Sequence, residues 1–235
     1  MGCEDRRWFV VYRRVNKAAI GIGSMVVFIA MVMVAGIAAS VIVQTSNNLE
    51  IQSMETSSQT ITEVSTGLRI VDIEGEKGNR QIDGTWYNDT IHNMTITVAP
   101  RAGTLDINLG ETVLEISNST VKCILKYNTG EPEFVNQVPS DGVFNCVDGT
   151  NSIFNQSANT FGIIELEDAD DSCDEDAPVI NRGDMVMICI NLTACFNGCP
   201  ERTDVWGTLI PEEGSQALFT FRTPDIGSDT VYDMY

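Results

Sequence analysis

From Ala18 to Val43 the chain runs through 26 consecutive residues without a charge, and their apolar positions leave no polar stripe at helical spacing. At 1.5 Å rise per residue, a helix of that length crosses the roughly 30 Å hydrocarbon core of a bilayer. Because it is apolar on every face, it must be covered on every face, by lipid or by similar helices. After Val43 the texture turns polar, yet no proline interrupts it, and Leu49, Met54, Ile61, Val64 and Leu68 recur at roughly helical intervals. The pattern predicts one long helix from about Ala19 to Ser65, greasy in its first half, amphipathic in its second, and stopped at Gly67. Within it Gly36 and Ser40, like Ala35 and Ala39, are small residues four apart, a spacing that lets two helices approach closely.

From Leu68 onward short β-rich runs alternate with turn residues. Strands are expected at Leu68–Ile73, Ile91–Val98, Thr104–Asn108, Thr112–Ile116, Thr120–Tyr127, Phe134–Val138, Gly142–Cys146, Phe161–Leu166, Met185–Asn191, Val205–Ile210 and Ala217–Arg222. Asp83-Gly84, Pro100, Gly110, Gly130, Asp141-Gly142 and Arg182-Gly183-Asp184 punctuate them. Many short strands at this spacing predict an antiparallel, immunoglobulin-like sandwich large enough to bury its own core. The fold class is therefore α+β: a long hydrophobic N-terminal helix followed by a β-sandwich domain.

The residues before the helix carry Arg6, Arg7, Arg13, Arg14 and Lys17 against only Glu4 and Asp5, which keeps this end cytoplasmic and sends the remainder outward. A secretory signal has an apolar region of about 7–15 residues, shorter than this run. Cleavage after Ala38-Ala39-Ser40 would discard the helix, whereas cleavage between Ala18 and Ala19 would leave it as the mature N-terminus.

Lys17-Ala18 followed by Ala19-Ile20-Gly21-Ile22-Gly23-Ser24, then Val27-Phe28-Ile29-Ala30-Met31-Val32 and Ala38-Ala39-Ser40-Val41, resembles the N-terminus of archaeal flagellins, or archaellins, members of the type IV pilin-like filament superfamily. The likeness continues in Gln44-Thr45-Ser46 and Glu63-Val64-Ser65-Thr66-Gly67, and returns in Asn181-Arg182-Gly183-Asp184, Pro200-Glu201-Arg202-Thr203, Pro211-Glu212-Glu213-Gly214 and Phe221-Arg222-Thr223-Pro224. The N-terminal likeness is dense and the later ones are short and scattered. The resemblance implies a prepilin-type peptidase cutting between Ala18 and Ala19, with Lys17 before the site. The family usually has glycine where Ala18 stands. Bacterial pilins place a glutamate five residues into the mature chain, where this chain has Gly23, which favours archaellin over pilin. The implied domains are a removed leader, 1–18, a core helix, 19–66, and an extracellular sandwich, 67–235. Along the helix Ile20, Gly21, Gly23, Val27, Phe28, Ile29, Val32, Val34, Gly36, Ile37 and Val41 would form the filament core.

Charge narrows the class further. Without the leader's five positive and two negative charges, the formal −19 becomes about −22, with 9 basic residues against 31 acidic. So acidic a surface repels nucleic acid and keeps monomers apart until packing forces dominate. It also suits a salty medium, in which repulsion is screened. His92 is the only histidine, leaving almost no material for ordinary acid–base chemistry. No cofactor is called for.

Five N-x-S/T sequons, at Asn88, Asn93, Asn118, Asn155 and Asn191, lie in the β region, with Asn88 and Asn93 expected in a loop and Asn191 at a strand end. Six of the seven cysteines, Cys123, Cys146, Cys173, Cys189, Cys195 and Cys199, lie there too. An exported domain permits disulfides among them, with fifteen pairings open; buried free thiols are the alternative, and the C-x5-C-x3-C spacing at the end fits zinc poorly. Cys3 leaves with the leader. The acidic run from Glu165 to Asp176 is first a solvated loop; Asp168, Asp170, Asp171 and Asp174 leave a structural calcium or other divalent cation open, although the EF-hand pattern is not met.

The reading that joins these features is a structural subunit of an archaellum filament, not an enzyme. It would reside in the cytoplasmic membrane as a precursor and polymerise extracellularly with itself and sister archaellins through the N-terminal helix. By resemblance, an assembly ATPase and membrane platform serve it at the base, and the filament turns for swimming. The alternatives are a pilus-like adhesion filament, a single-pass anchored surface protein, or a secreted form lacking the helix. N-terminal sequencing of the mature protein separates them: Ala19 is expected, whereas Met1 or Gly2 would mean an uncut anchor and Val41 a secreted domain.

Overall fold

The structure is a computed structural model that describes residues 5–82, 85–128, 134–148 and 151–235, with 5–19, 79–88 and 147–151 described by their backbone alone. It divides into two units, Met1–Ser58 and Gln59–Tyr235. The expected turns at Asp83-Gly84 and Gly130 lie outside the described residues.

Helix α1 runs from Asp5 to Ser65. It therefore begins well before Ala19, because nothing from Arg6 to Ala18 breaks a helix: neither glycine nor proline occurs there. It ends where the sequence places the stop, but for another reason. Gly67 is absent from the left-handed glycines. Its hydrogen side instead faces Ser215 so closely that a Cβ would stand 2.5 Å from that residue's Oγ and 2.8 Å from its carbonyl oxygen.

The outer unit follows in chain order. A long hairpin of β1 (Leu68–Ile82) and β2 (Thr85–Pro100) comes first. After it come β3 (Ile107–Asn108), β4 (Val113–Asn118), β5 (Lys122–Lys126) and β6 (Phe134–Val135). A 3-10 turn at Val143–Asn145 precedes β7 (Val147–Asp148), β8 (Asn151–Ser152) and β9 (Gly162–Glu167). Then come β10 (Val179–Ile180), β11 (Met185–Asn191), the short helix α2 (Leu192–Phe196) and β12 (Cys199–Pro200). Three strands close the chain: β13 (Asp204–Ile210), β14 (Ala217–Arg222) and β15 (Val231–Asp233).

Among the described residues these strands make two main sheets. The larger has the order β15-β1-β2-β11-β9-β6, with β12 also on β2; the smaller has the order β14-β13-β4-β5. Pairing is antiparallel except between β6 and β9, which run parallel. One core takes Ile96, Val98 and Ile188 from the larger sheet and Leu114, Leu125, Val205 and Phe219 from the smaller, as a two-layer sandwich requires. Strands of the smaller sheet alternate buried and exposed, seen cleanly in β5 and β14. β11 instead reads as a nearly continuous apolar run, Met185-Val186-Met187-Ile188-Cys189-Ile190, because both of its faces are covered. Its other face meets a satellite cluster of Cys146, Ile153, Phe154, Ile164 and Cys189.

Three expectations are corrected. The run Gly142–Cys146 is a 3-10 turn, since Gly142 adopts φ 105 and Cys146 bonds back from its N–H to the Val143 carbonyl. β1 continues nine residues beyond Ile73, through Glu74-Gly75-Glu76-Lys77, a polar stretch with no strand signal of its own. It pairs there with β2 and with β15, and Gly75 fits because Ile91 and the Met234 side chain occupy the space a Cβ would need, both at 2.7 Å. The expected strand Thr104–Asn108 shrinks to Ile107–Asn108, paired with β10.

The exit from α1 is clamped into the sandwich. Ser215 N–H donates to the Thr66 carbonyl at 2.8 Å, Arg101 N–H to the Gly67 carbonyl at 2.9 Å, and the Arg101 side chain reaches both the Leu68 carbonyl and Ser215 Oγ. Thr104 Oγ1 donates to the Gly67 carbonyl at 3.1 Å. Opposite, Gly214 adopts φ +96 and passes so near Thr66 that a Cβ would meet its carbonyl oxygen at 2.3 Å. Gly214→Ala should therefore destabilise the outer unit by roughly 2–4 kcal/mol through strain and overpacking. Gly227→Ala, with nothing within 4 Å of its Cβ, should stay within about 0.5 kcal/mol of the parent. Denaturant unfolding of the full chain in detergent, followed by tryptophan fluorescence, checks both.

Candidate assembly surface and outer-domain sites

From Ile20 to Val43, α1 carries a continuous exposed apolar surface. Ile20, Ile22, Phe28, Ile37 and Val41 are all exposed, and so are the other large apolar residues from Met25 to Val43, on every side of the helix. None of the membrane-length window is buried within the chain. Gly21, Gly23 and Gly36 have nothing within 4 Å of where a Cβ would be, although glycine inside a helix costs about 1 kcal/mol relative to alanine. Among the described residues no contact accounts for them; a closely approaching neighbour would. Two hydroxyls, one in the apolar stretch and one just after it, are bonded to the helix backbone: Ser24 Oγ donates to the Gly21 carbonyl at 2.9 Å, and Thr45 Oγ1 donates to the Val41 and Ile42 carbonyls. Hydroxyls so satisfied cost little in lipid or in an apolar bundle. Lys17, Ala18 and Ala19 lie within α1, and their side chains are outside the described residues.

The sequons fall into different environments. Asn88 lies in β2 with its side chain outside the described residues. Asn93 is not in a loop: it faces Glu76 on one side and Asn191 on the other within the larger sheet, and its Nδ2 donates to Glu76 Oε2 at 2.7 Å. Asn191 is 5% exposed and caps α2, its Oδ1 accepting from the Ala194 N–H while its Nδ2 donates to the Gln156 carbonyl. Asn118 ends β4, with Oδ1 accepting the N–H groups of Thr120 and Val121 at 2.8 and 2.7 Å, so its amide nitrogen takes no part in that turn. Asn155 is exposed in the loop after β8.

His92 is a structural histidine. It is buried between two hydroxyls, Thr90 Oγ1 at 3.0 Å from Nε2 and Thr193 Oγ1 at 2.6 Å from Nδ1, which ties β2 to α2.

The disulfide expectation names no pairing, and in the structure all six cysteines of the outer unit are free and buried. Cys123 Sγ donates to the Cys195 carbonyl at 3.4 Å, and Cys195 Sγ to the Ala158 carbonyl at 3.7 Å. Cys199 shares a 3.2 Å contact with the Thr223 hydroxyl. Burial pushes the Cys146 thiol up to about 11. Burial together with Asp168 and Glu165 pushes Cys173 up to about 12.

In the acidic loop, oxygens of Asp168, Asp170 and Asp184 lie within 4.8 Å of one another and are the set among the described residues able to share a hard cation. Asp171 and Asp174, which the sequence offered, are not in that set, and Asp184, which it did not, is. Asp184 is buried and its Oδ2 accepts the Asn181 N–H at 2.7 Å, while Asp168 Oδ2 accepts the Cys173 N–H at 2.9 Å. Bonds from Asn181 and Ser172 hold the Asp170 carboxyl below its usual range. Glu165 is held above its range by burial and then by Asp168, Asp171, Asp174 and Asp184. Its raised value means that the unfavourable charge is shed, and stability gained from this group, as pH falls through that value.

Comparison with known proteins follows from this architecture. A family model described as archaeal-type flagellin matches residues 18–221. Flagellin B2 of Methanocaldococcus jannaschii is 36% identical over 209 residues, covering 89% of this chain and 90% of that protein. Flagellin B4 of Pyrococcus abyssi is 35% identical over 215 residues, covering 89% and 94%. Among solved structures, archaeal flagellin FlaB1 of Methanocaldococcus jannaschii aligns with TM-score 0.54 at 25% identity, over 72% of this chain and 96% of that one. The archaeal flagellum of Methanospirillum hungatei aligns with TM-score 0.57 at 13% identity, over 91% and 98%, a likeness of fold.

Transfer of a glycan needs a free, solvent-facing amide nitrogen. Glycopeptide mass spectrometry of the exported protein should find sugar at Asn118 and Asn155 and none at Asn93 or Asn191.

Proposed function

This chain belongs to the archaeal-type flagellin family, and from that membership we propose that it is a structural subunit of the archaellum filament, polymerising with itself and sister archaellins through the apolar stretch Ile20 to Val43 of α1. It is a structural protein and not an enzyme. The observation that carries the reading is the uncovered apolar helix with its three unexplained glycines.

The energetics fit a subunit that waits in a membrane and then assembles. Fifteen large apolar side chains between Ile20 and Val43 are exposed in the single chain. Covering them is worth roughly 20–45 kcal/mol relative to water at about 1.5–3 kcal/mol each. Relative to lipid, nearly all of that cancels, since lipid tails are as apolar as the side chains. The precursor is therefore stable in the cytoplasmic membrane, and the polymer resists dissociation into water. What selects the bundle over lipid is close packing, to which Gly21, Gly23 and Gly36 give backbone access. A head-to-tail contact that does not close on itself propagates as an open helical thread. Removal of the leader by a prepilin-type peptidase between Ala18 and Ala19 takes five positive charges from the end that must enter the bundle. Extraction from lipid, nearly neutral in free energy, is the step for which an assembly ATPase and a membrane platform would supply work. The acidic sandwich forms the outer wall, and rotation for swimming is the expected use.

Electron microscopy of fibres sheared from the cell surface, with mass spectrometry of their content, tests the reading directly; this chain should be a component beginning at Ala19. Val32→Asp should abolish incorporation, because a buried unpaired carboxylate has no partner in the bundle. Gly36→Leu should permit export but cut filament yield at least about tenfold, the effect of losing roughly 1.4 kcal/mol per contact. Normal filaments built from either variant would refute the cohesive role of the helix.

A further inference from the structure

Four of the six outer cysteines stand as two pairs. Cys123, on the edge strand β5 of the smaller sheet, places its thiol 3.4 Å from the Cys195 carbonyl on α2. Cys146, between the 3-10 turn and β7, and Cys189, at the centre of β11, share the small satellite cluster with Ile153, Phe154 and Ile164. Both are fully buried there, and the charge a Cys146 thiolate would carry is felt at Cys189. The other two cysteines have neighbours of a different kind. Cys199 meets a threonine hydroxyl, and Cys173 is surrounded by carboxylates.

We propose that Cys123 with Cys195 and Cys146 with Cys189 are oxidation pairs, forming two disulfides in the exported domain while Cys173 and Cys199 remain single thiols. The inference concerns the outer unit and rests on the filament reading only for the oxidising compartment. Each bridge would join parts of the fold that lie far apart in the chain. The first links the smaller sheet to the helix that follows β11, and so ties one layer of the sandwich to the other. The second links the segment between β6 and β9 to the middle of the larger sheet. Because Cys189 and Cys195 flank the junction of β11 and α2, the two bridges pin one segment on both sides. The loops are nested, so neither bond obstructs the other.

The chemistry is thiol–disulfide exchange with an external small-molecule or protein disulfide. One thiol loses its proton and, as thiolate, attacks an external sulfur, and one external thiolate leaves. The second thiol loses its proton and attacks the mixed disulfide, closing the protein S–S bond and expelling the second thiolate. Two protein thiols are oxidised, one external disulfide is reduced to two thiols, and the two protons pass to those products. Burial raises the Cys146, Cys189 and Cys195 thiols well above their usual range, so thiolate at these three is scarce once the core has closed. Exchange therefore belongs to the interval between export and final packing. Bridges made then would hold the wall of a thread that is dragged through water, by limiting how far a domain opens when it is pulled.

The test is disulfide mapping on the full chain taken from sheared surface fibres. Free thiols are alkylated in denaturant without reductant, the protein is digested, and crosslinked peptides are identified before and after reduction. Two crosslinks are expected, joining the Cys123 peptide to that of Cys195 and the Cys146 peptide to that of Cys189, with Cys173 and Cys199 alkylated. Alkylation of all six, absence of either crosslink, or any crosslink containing Cys173 or Cys199 would overturn the assignment. In addition, reductant should lower the thermal midpoint of the wild-type protein and leave that of a Cys123→Ala, Cys195→Ala, Cys146→Ala, Cys189→Ala variant unchanged; an unchanged wild-type midpoint would count against the bridges. Failure here leaves the filament reading standing, since that reading falls only if the fibres lack this chain.

Discussion

A helix that is apolar all round cannot be finished by its own chain. Every other element here closes its account locally: strands pair, the two sheets cover each other, and the caps of α2 satisfy its ends. The stretch from Ile20 to Val43 has no such cover, so its state is decided by its surroundings. Lipid and a bundle of like helices are nearly equal in hydrophobic free energy, and water is far worse than either. That near-equality makes transfer between the first two feasible while excluding the third. It also transfers the decision to small terms, such as backbone approach at the glycines and the backbone-bonded hydroxyls of Ser24 and Thr45.

A cohesive core is useful only if load reaches the wall. The path passes through Thr66, Gly67 and Leu68, where the chain leaves α1, and each backbone carbonyl there is held by the sandwich. Ser215 takes Thr66, Arg101 and Thr104 take Gly67, and the Arg101 guanidinium takes Leu68. Thr66 and Leu68 are themselves buried. Within the outer unit Gly67 and Gly214 are glycine because two backbones pass at contact distance there.

Much of this was legible in sequence because it rests on periodicity. The helix end at Ser65 and the strands Met185–Asn191 and Ala217–Arg222 match the spans read from pattern alone, since an apolar run or strict alternation records which faces are covered. What pattern could not show was set by contacts distant in sequence. Glu74 to Ile82 extends a strand although it is polar, because β2 pairs along it and β15, from the far end of the chain, pairs with Glu74 to Glu76. Asn93 reads as a loop sequon but sits in a sheet, fastened by Glu76. Asp184 joins Asp168 and Asp170 from a turn beyond the acidic run, where Asn181 and Ala169 orient it. The thiol pairs are of the same kind: spacing along the chain says nothing about which cysteines the two sheets bring together.

The distribution of charge then separates core from wall. From Ala18 to Leu68 the chain has no basic residue and only Glu50, Glu55 and Glu63, all beyond the apolar half. Charge repulsion between neighbours therefore acts in the outer shell, where water and salt screen it beyond about 8 Å at physiological ionic strength. Cohesion acts in the dry core, where added salt strengthens apolar association more than it weakens it. Raising ionic strength thus moves both terms in the same direction, toward assembly. A subunit with its acidic residues in the helix, or its apolar residues in the wall, would lose that agreement.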